Sequence, residues 1–371
     1  MHKPAWTPRP PSALPRNLGL AHALLIAYAC LYPMTGWKAS GLPAFDYLLA
    51  PWPRHFVVAD LVFNILGYLP LGFMIAAALP QGWPALRTVL GATLLAALLS
   101  LGLETAQNFL PSRVASNLDV GANIGGALLG AITGVRWGRR LFGHRNALRH
   151  WRARHIIGGL TGDTGLVLLG LWLLSQLGAS NLLFASGDVR SLLGIPAPLP
   201  FRPERFIAFE AGLTATSVLA VGLFARCMMR GSAWWPTALL LTLGIAAKAL
   251  ATSTFFIAGT PLAWLTPGAG RGLAIGLSLL AAAMRLPRVL QHALAGMTLL
   301  ATTALVNLMP DNPYLAYSHR LTHYSNFLSF HGLTQLADSL WPFLALAYLS
   351  ALGLWRGEHL NRPRSEPGPR L

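Results

Sequence analysis

Charge is what this chain has least of. Of its 371 residues only 11% are charged, while 54% are hydrophobic. Soluble domains carry roughly 25% charged residues, so a water-soluble globular fold is excluded. Cysteine is nearly absent, and both examples, Cys30 and Cys227, sit in apolar runs, which leaves no disulfide framework and no zinc-ligand spacing. Acidic residues are also few, 12 against 28 Lys and Arg, for a net charge of +16. The arginines fall in short tracts between apolar runs, the distribution of the positive-inside rule rather than of a phosphate-tracking surface. Nucleic acid is therefore not an expected partner.

Several motifs are missing too. No H-E-x-x-H and no Glu-Glu pair occurs, and Ser112-Arg113 lacks the histidines that a membrane acid phosphatase would place around it. These absences count against a zinc protease, a CAAX-type intramembrane protease and a lipid phosphatase, and no metal or cofactor is expected. No internal repeat is visible, so an inverted-repeat transporter is not indicated. The first apolar run has no small-residue cleavage site, which marks it as a retained span rather than a removed signal peptide.

What the chain has in quantity is apolar runs long enough to cross about 30 Å of hydrocarbon. They lie near residues 18–35, 56–79, 88–110, 117–135, 156–177, 206–228, 234–257, 288–309 and 336–355, with a short tenth candidate at 271–284. Ten spans with both termini cytoplasmic place the main basic tracts on one side of the membrane, as the positive-inside rule requires. The expected fold is thus all-α, a polytopic transmembrane helical bundle in the lipid bilayer. Its parts are a Pro/Arg-rich N-terminus (1–17), a four-helix domain (18–135), a basic linker (136–155), a six-helix domain (156–355) and a disordered tail (356–371).

The first four spans carry polar residues that a membrane helix normally excludes. Asp60, Asn64 and Tyr68 are spaced four apart and share one helix face. Glu104 with Gln107 forms a second such face, and Asp119 with Asn123 a third. In the expected topology all three faces lie in the outer half of the membrane, around a loop carrying Arg113. A carboxylate at a bilayer centre costs about 2.5–3.5 kcal/mol on insertion scales and marks a functional site by default. Three carboxylates beside one arginine leave an excess negative charge, to be met by protonation, a cation or a cationic ligand. Gly126, Gly130 and Gly134, with Gly121, Gly125 and Ala122, line the fourth span with small residues that allow close helix contact.

These residues form the pattern D-x-x-x-N-x-x-x-Y-x-P-x-G (Asp60 to Gly72), then E-x-x-Q-x-x-x-P-x-R (Glu104 to Arg113), then D-x-x-x-N-x-x-G-x-x-x-G (Asp119 to Gly130). The pattern resembles the VanZ-like family of membrane proteins over roughly residues 20–135. That resemblance implies a bacterial cell-envelope role, since the family's best-known member is associated with resistance to the glycopeptide teicoplanin. The expected function is binding of a lipid-linked cell-wall precursor or a glycopeptide at the outer leaflet. The alternatives are a proton-coupled transporter or flippase and a membrane enzyme acting on a lipid-linked substrate. The family resemblance stops short of the second block, where the secondary candidates lie. Glu210 and Lys248 sit at comparable depths and are expected to pair. His319, His323 and His331 belong to a Tyr- and Asn-rich stretch, 310–338, read as an outer loop or surface helix together with Asp338.

Overall fold

The computed structural model describes residues 13–32, 34–39, 41, 43–51, 58–80, 82–142, 147–178, 181–231, 233–253, 260–313 and 325–361. Contacts between residues divide the chain into two units, residues 1–167 with 322–333 and residues 168–321 with 334–371. The described elements are helices, as lipid demands of any segment whose backbone groups must be satisfied internally.

The first unit contains α1 (Leu14–Leu31), α2 (Asp46–Leu49), α3 (Val58–Ala78), α4 (Ala85–Gln107) and α5 (Asn117–Thr133). A π turn (Gly134–Gly138), α6 (Arg139–Phe142), α7 (Ala147–His155) and the first half of α8 (Gly159–Ser175) follow. Glycine decides how α3 and α5 meet. A Cβ at Gly126 would overlap the Ile65 carbonyl, one at Gly130 the Leu69 carbonyl, and one at Gly72 the Ala127 carbonyl. At Gly134 it would stand 2.7 Å from the Phe73 oxygen. Gly121 and Gly125 face open space instead. The two backbones therefore touch directly, and α1 and α4 close the bundle around Ile26, Tyr68, Leu71, Ala96, Leu103 and Ala127. α3 runs through Pro70 as one helix.

The outer faces are apolar. Leu86, Leu90, Leu94 and Leu98, one turn apart on α4, are each at least 56% exposed. Such a stripe is a liability in water and an ordinary surface in lipid. At the start of α4 the Arg87 guanidinium lies 4.3 Å over the Trp83 ring.

The second unit holds the rest of α8, then α9 (Val189–Leu192), α10 (Pro203–Met228), α11 (Trp234–Ala251), α12 (Pro267–Ala283), α13 (Arg288–Leu308) and most of α14 (Ser325–Asn361). α10 is its central helix and packs on α12 and α13. Gly272 and Gly276 of α12 lie against the α10 backbone at Ala211 and Ala215. An aromatic core joins Trp172, Phe184, Trp341, Phe224 and Tyr348, with successive ring centroids 5.3–6.5 Å apart.

Eight of the described helices are long and apolar enough to cross a membrane, so this is a multi-pass membrane protein. The other two expected spans are α8 and α12, each 17 residues and about 25 Å long at helical rise. α12 begins at Pro267, four residues before the expected start at 271, because Thr266 caps it by accepting from the Ala269 N–H. The basic tract 136–155 is largely helical where described rather than an extended linker. Arg152 pairs there with Asp163, which also accepts from Asn17 at 3.5 Å. Asp163 is thus buried in an ion pair. The division between units falls at residues 167/168 instead of 155/156. α14 starts at Ser325 and continues to Asn361, so part of the expected outer stretch and the first residues of the expected tail are helical.

Candidate functional site

The polar residues of α3, α4 and α5 converge at one end of the first unit. Asp60 occupies the first turn of α3, and Asn64, one turn on, donates through Nδ2 to Asp119 Oδ1 at 2.8 Å. Asp119 sits in the first turn of α5, where a carboxylate is favoured by the helix dipole. Its backbone N–H donates to the Ser116 hydroxyl at 3.4 Å, the N-cap of that helix. Ser116 also links the site across the loop, because its own N–H donates to Glu104 Oε2 at 3.0 Å. Glu104 is only 4% exposed; it feels the charge of Asp119, and Asp119 in turn feels Asp60. The three carboxylates named from the sequence therefore lie within electrostatic reach of one another in series, and neutral donors hold Glu104 and Asp119.

Arg113 and Gln107 do something the sequence did not reveal. Arg113 donates through Nε and Nη2 to the Tyr32 carbonyl at 3.0 and 2.6 Å, and Gln107 Nε2 donates to the Cys30 carbonyl at 2.9 Å. Both acceptors belong to the C-terminal end of α1, whose last carbonyls have no partner within the helix and whose dipole favours a cation. Burial draws the Arg113 guanidinium below its ordinary pKa, although arginine stays protonated in proteins. Arg113 thus binds the C-terminal end of α1. Cys30 lies within electrostatic reach of Glu104, Arg113 and Asp119.

Segment 43–51 is tied to the same end. Tyr47 shares a hydrogen bond with the Thr105 hydroxyl at 3.2 Å, Asn108 donates to the Ala44 carbonyl, and Asn117 to the Ala50 carbonyl. Deeper in the bundle, Asn123 Nδ2 donates to the Ser100 hydroxyl at 3.0 Å. The Tyr68 hydroxyl lies beside Ser100 as well, and Asn123 Oδ1 is buried there without a hydrogen-bond partner among the described residues. His22, on α1, meets the Gly67 carbonyl at 2.8 Å.

The structure thus gathers Asp60, Asn64, Glu104, Gln107, Arg113 and Asp119 at one end, with Tyr68 and Asn123 below them. Cys30, Tyr32, Ser100 and Ser116 join them unannounced. Ser116 alone carried a signal, as a serine just before a polar-started helix. In the second unit the expected Glu210–Lys248 pairing gives way to other partners. The Lys248 ammonium donates to the Gly178 carbonyl at 2.8 Å and to the Asn181 carbonyl. The Glu210 carboxylate packs against Gly268 at the start of α12. His319 and His323 lie outside the described residues; His331 falls within α14, where only its backbone is described. Among the described residues no three His, Cys, Asp or Glu side chains converge as a metal site.

Comparison with known families matches residues 20–137 to the model described as VanZ/LLP1. That segment contains all eight cluster residues, and residues 138–371 lie beyond it. No curated protein and no solved structure matches the chain.

Proposed function

Taking residues 20–137 as a VanZ-like segment, we propose that this membrane protein serves the bacterial cell envelope from the cytoplasmic membrane, with both termini inside. In this reading the Asp60/Glu104/Asp119 cluster faces the outer leaflet and binds a lipid-linked cell-wall precursor or a glycopeptide of the teicoplanin kind. The observation that carries it is the preformed arrangement around Ser116. Among the described residues Glu104 accepts from the Ser116 N–H and Asp119 from Asn64, and the other carboxylate oxygens are the ones that would meet amine and hydroxyl groups of a ligand. Arg113 supplies the positive charge that anionic groups such as phosphates or carboxylates require.

A proton-coupled transporter or flippase is the second reading. It draws on the buried Tyr68, Ser100 and Asn123 side chains, which extend the polar region inward from Glu104.

The test is charge-neutral substitution in the native host: Glu104→Gln, Asp119→Asn and Asp60→Asn, each scored for membrane abundance and for sensitivity to teicoplanin and other envelope stresses. Binding predicts abundance kept and protection lost in each. Unchanged protection with all three replaced together rules the binding reading out. Uptake that depends on a proton gradient and disappears in Asp60→Asn selects the transporter instead.

A further inference from the structure

The second unit contains a charged centre that the VanZ-like match does not reach. Between α8 and α9 the chain is non-helical yet buried: Leu183, Phe184, Ala185 and Ser186 are at most 3% exposed. Non-helical backbone at membrane depth persists only where protein or a watery cavity satisfies it. Here side chains of three helices supply part of what is needed. Lys248 of α11 donates to the Gly178 and Asn181 carbonyls. Asn307 of α13 donates to the Gly187 carbonyl at 2.7 Å and accepts from the Arg190 N–H at 2.9 Å. From α14 the Ser339 hydroxyl donates to the Asp188 carbonyl at 2.7 Å, while the Gly187 N–H donates to the Asp338 carbonyl at 2.8 Å. Gly187 manages this turn with φ +98, and Phe184 adopts φ 62.

The charged groups facing this segment, among the described residues, are Asp188, Asp311 and Asp338 against Arg190 and Lys248. Arg190 is paired with Asp311 at 2.8 Å. The Asp188 carboxylate caps α9 by accepting from the Ser191 N–H at 2.9 Å. Lys248 rests on carbonyl oxygens. That leaves Asp338, 4% exposed, whose carboxylate is reached by the Asp188 N–H while its Oδ1 is buried without a hydrogen-bond partner among the described residues. Asp338 does feel the charges of Lys248 and Asp188. Three carboxylates against two cations leave one negative charge in excess. A buried carboxylate oxygen with no donor carries a desolvation cost that proton uptake removes. A single proton is a species that one unpartnered carboxylate oxygen can take.

We propose that Asp338 is a proton-binding site inside the second unit, its buried Oδ1 taking the proton, with the Lys248 side chain within electrostatic reach. This assignment is independent of ligand binding at the Glu104 cluster and places proton chemistry in the block that the family match leaves unaccounted for.

Infrared difference spectroscopy of the purified full chain in nanodiscs, titrated across pH in H2O and D2O, tests it. The expected result is a protonated-carboxyl band that titrates, survives in Glu104→Gln and Asp119→Asn, and is missing from Asp338→Asn. Lys248→Gln, which keeps an N–H donor for the carbonyls, should raise the band's midpoint by about 1–3 pH units through loss of the nearby positive charge. A band that persists in Asp338→Asn overturns the assignment. So does one fixed at every pH, or one that follows sodium concentration at constant pH. If Asp338→Asn fails to accumulate, Lys248→Gln decides alone, and an unmoved midpoint sinks the proposal.

Discussion

In the first unit, Asp60 and Asp119 stay partly exposed, and the cluster sits where three helices and a loop end. In the second, Lys248, Glu210 and Asp338 are each at most 4% exposed and are embedded among helix interiors and a buried turn. The donors differ as well. A side-chain amide and a loop N–H orient Asp119 and Glu104 in the first unit, whereas Lys248 donates to backbone carbonyls. The contrast teaches that intramembrane charge alone does not define one kind of site. A carboxylate held by neutral donors at a bundle end is presented to something outside, while one enclosed with a counter-charge is suited to a proton.

Four substitutions would break or sharpen this contrast. The largest effect is expected from Lys248→Ala, which leaves the Gly178 and Asn181 carbonyls without that donor and Asp338 without its cation. Each buried carbonyl left without its donor costs about 1–3 kcal/mol. Thermal unfolding in detergent should show that loss, and adding Asp338→Asn should recover part of it. No recovery would mean that Lys248 matters through the carbonyls alone. Next comes Gly130→Val, which drives a side chain into the Leu69 carbonyl. Overpacking costs about 1–3 kcal/mol, and with backbone on the far side the upper end is expected, read as reduced membrane abundance. The same change at Gly121, which faces open space, should leave abundance unchanged.

Ser116→Ala is milder. It removes the α5 N-cap at about 1 kcal/mol but keeps the backbone N–H that Glu104 accepts, so protection should fall less than in Glu104→Gln. Asp188→Asn should have the smallest effect, and its sign depends on pH. Burial holds the Asp188 carboxyl above its ordinary value, so the folded protein favours the protonated form. Stability from that preference is present in acid and is lost as pH rises from the ordinary carboxylate range through the raised value. The variant should match the wild type in acid and exceed it slightly near neutrality, with asparagine still able to accept from Ser191. Melting curves recorded at several pH values would show the gap widening upward, and a gap that narrows would contradict this account.

The first cluster was legible because polar residues stand out in apolar helices and helical spacing aligns them. Asp60, Asn64 and Tyr68 needed no more than that. Arg113 was visible as a charge, but its partner was not, since the Tyr32 carbonyl leaves no mark on residue identity. Lys248 was misread for the same reason: an opposite charge at similar depth suggested Glu210, and the acceptors are backbone oxygens of a turn that no periodicity announces. Asp338 followed a His/Tyr/Asn-rich stretch and was grouped with it, although α14 begins at Ser325. Eight of the ten expected apolar runs coincide with helices long enough to cross a membrane, whereas the 167/168 division falls inside α8 and has no compositional signature.

The direct backbone contact between α3 and α5 has a mechanical consequence. With Gly126, Gly130 and Gly134 against carbonyls of α3, no side chain lies between the two helices at those levels to change rotamer and take up slack. The pair behaves as a single stiff beam along that seam. A ligand that disturbs the Asn64–Asp119 bond at one end can bend the loops freely, but it can displace α3 only by carrying α5 with it, so the disturbance arrives undiminished at the far end of the beam.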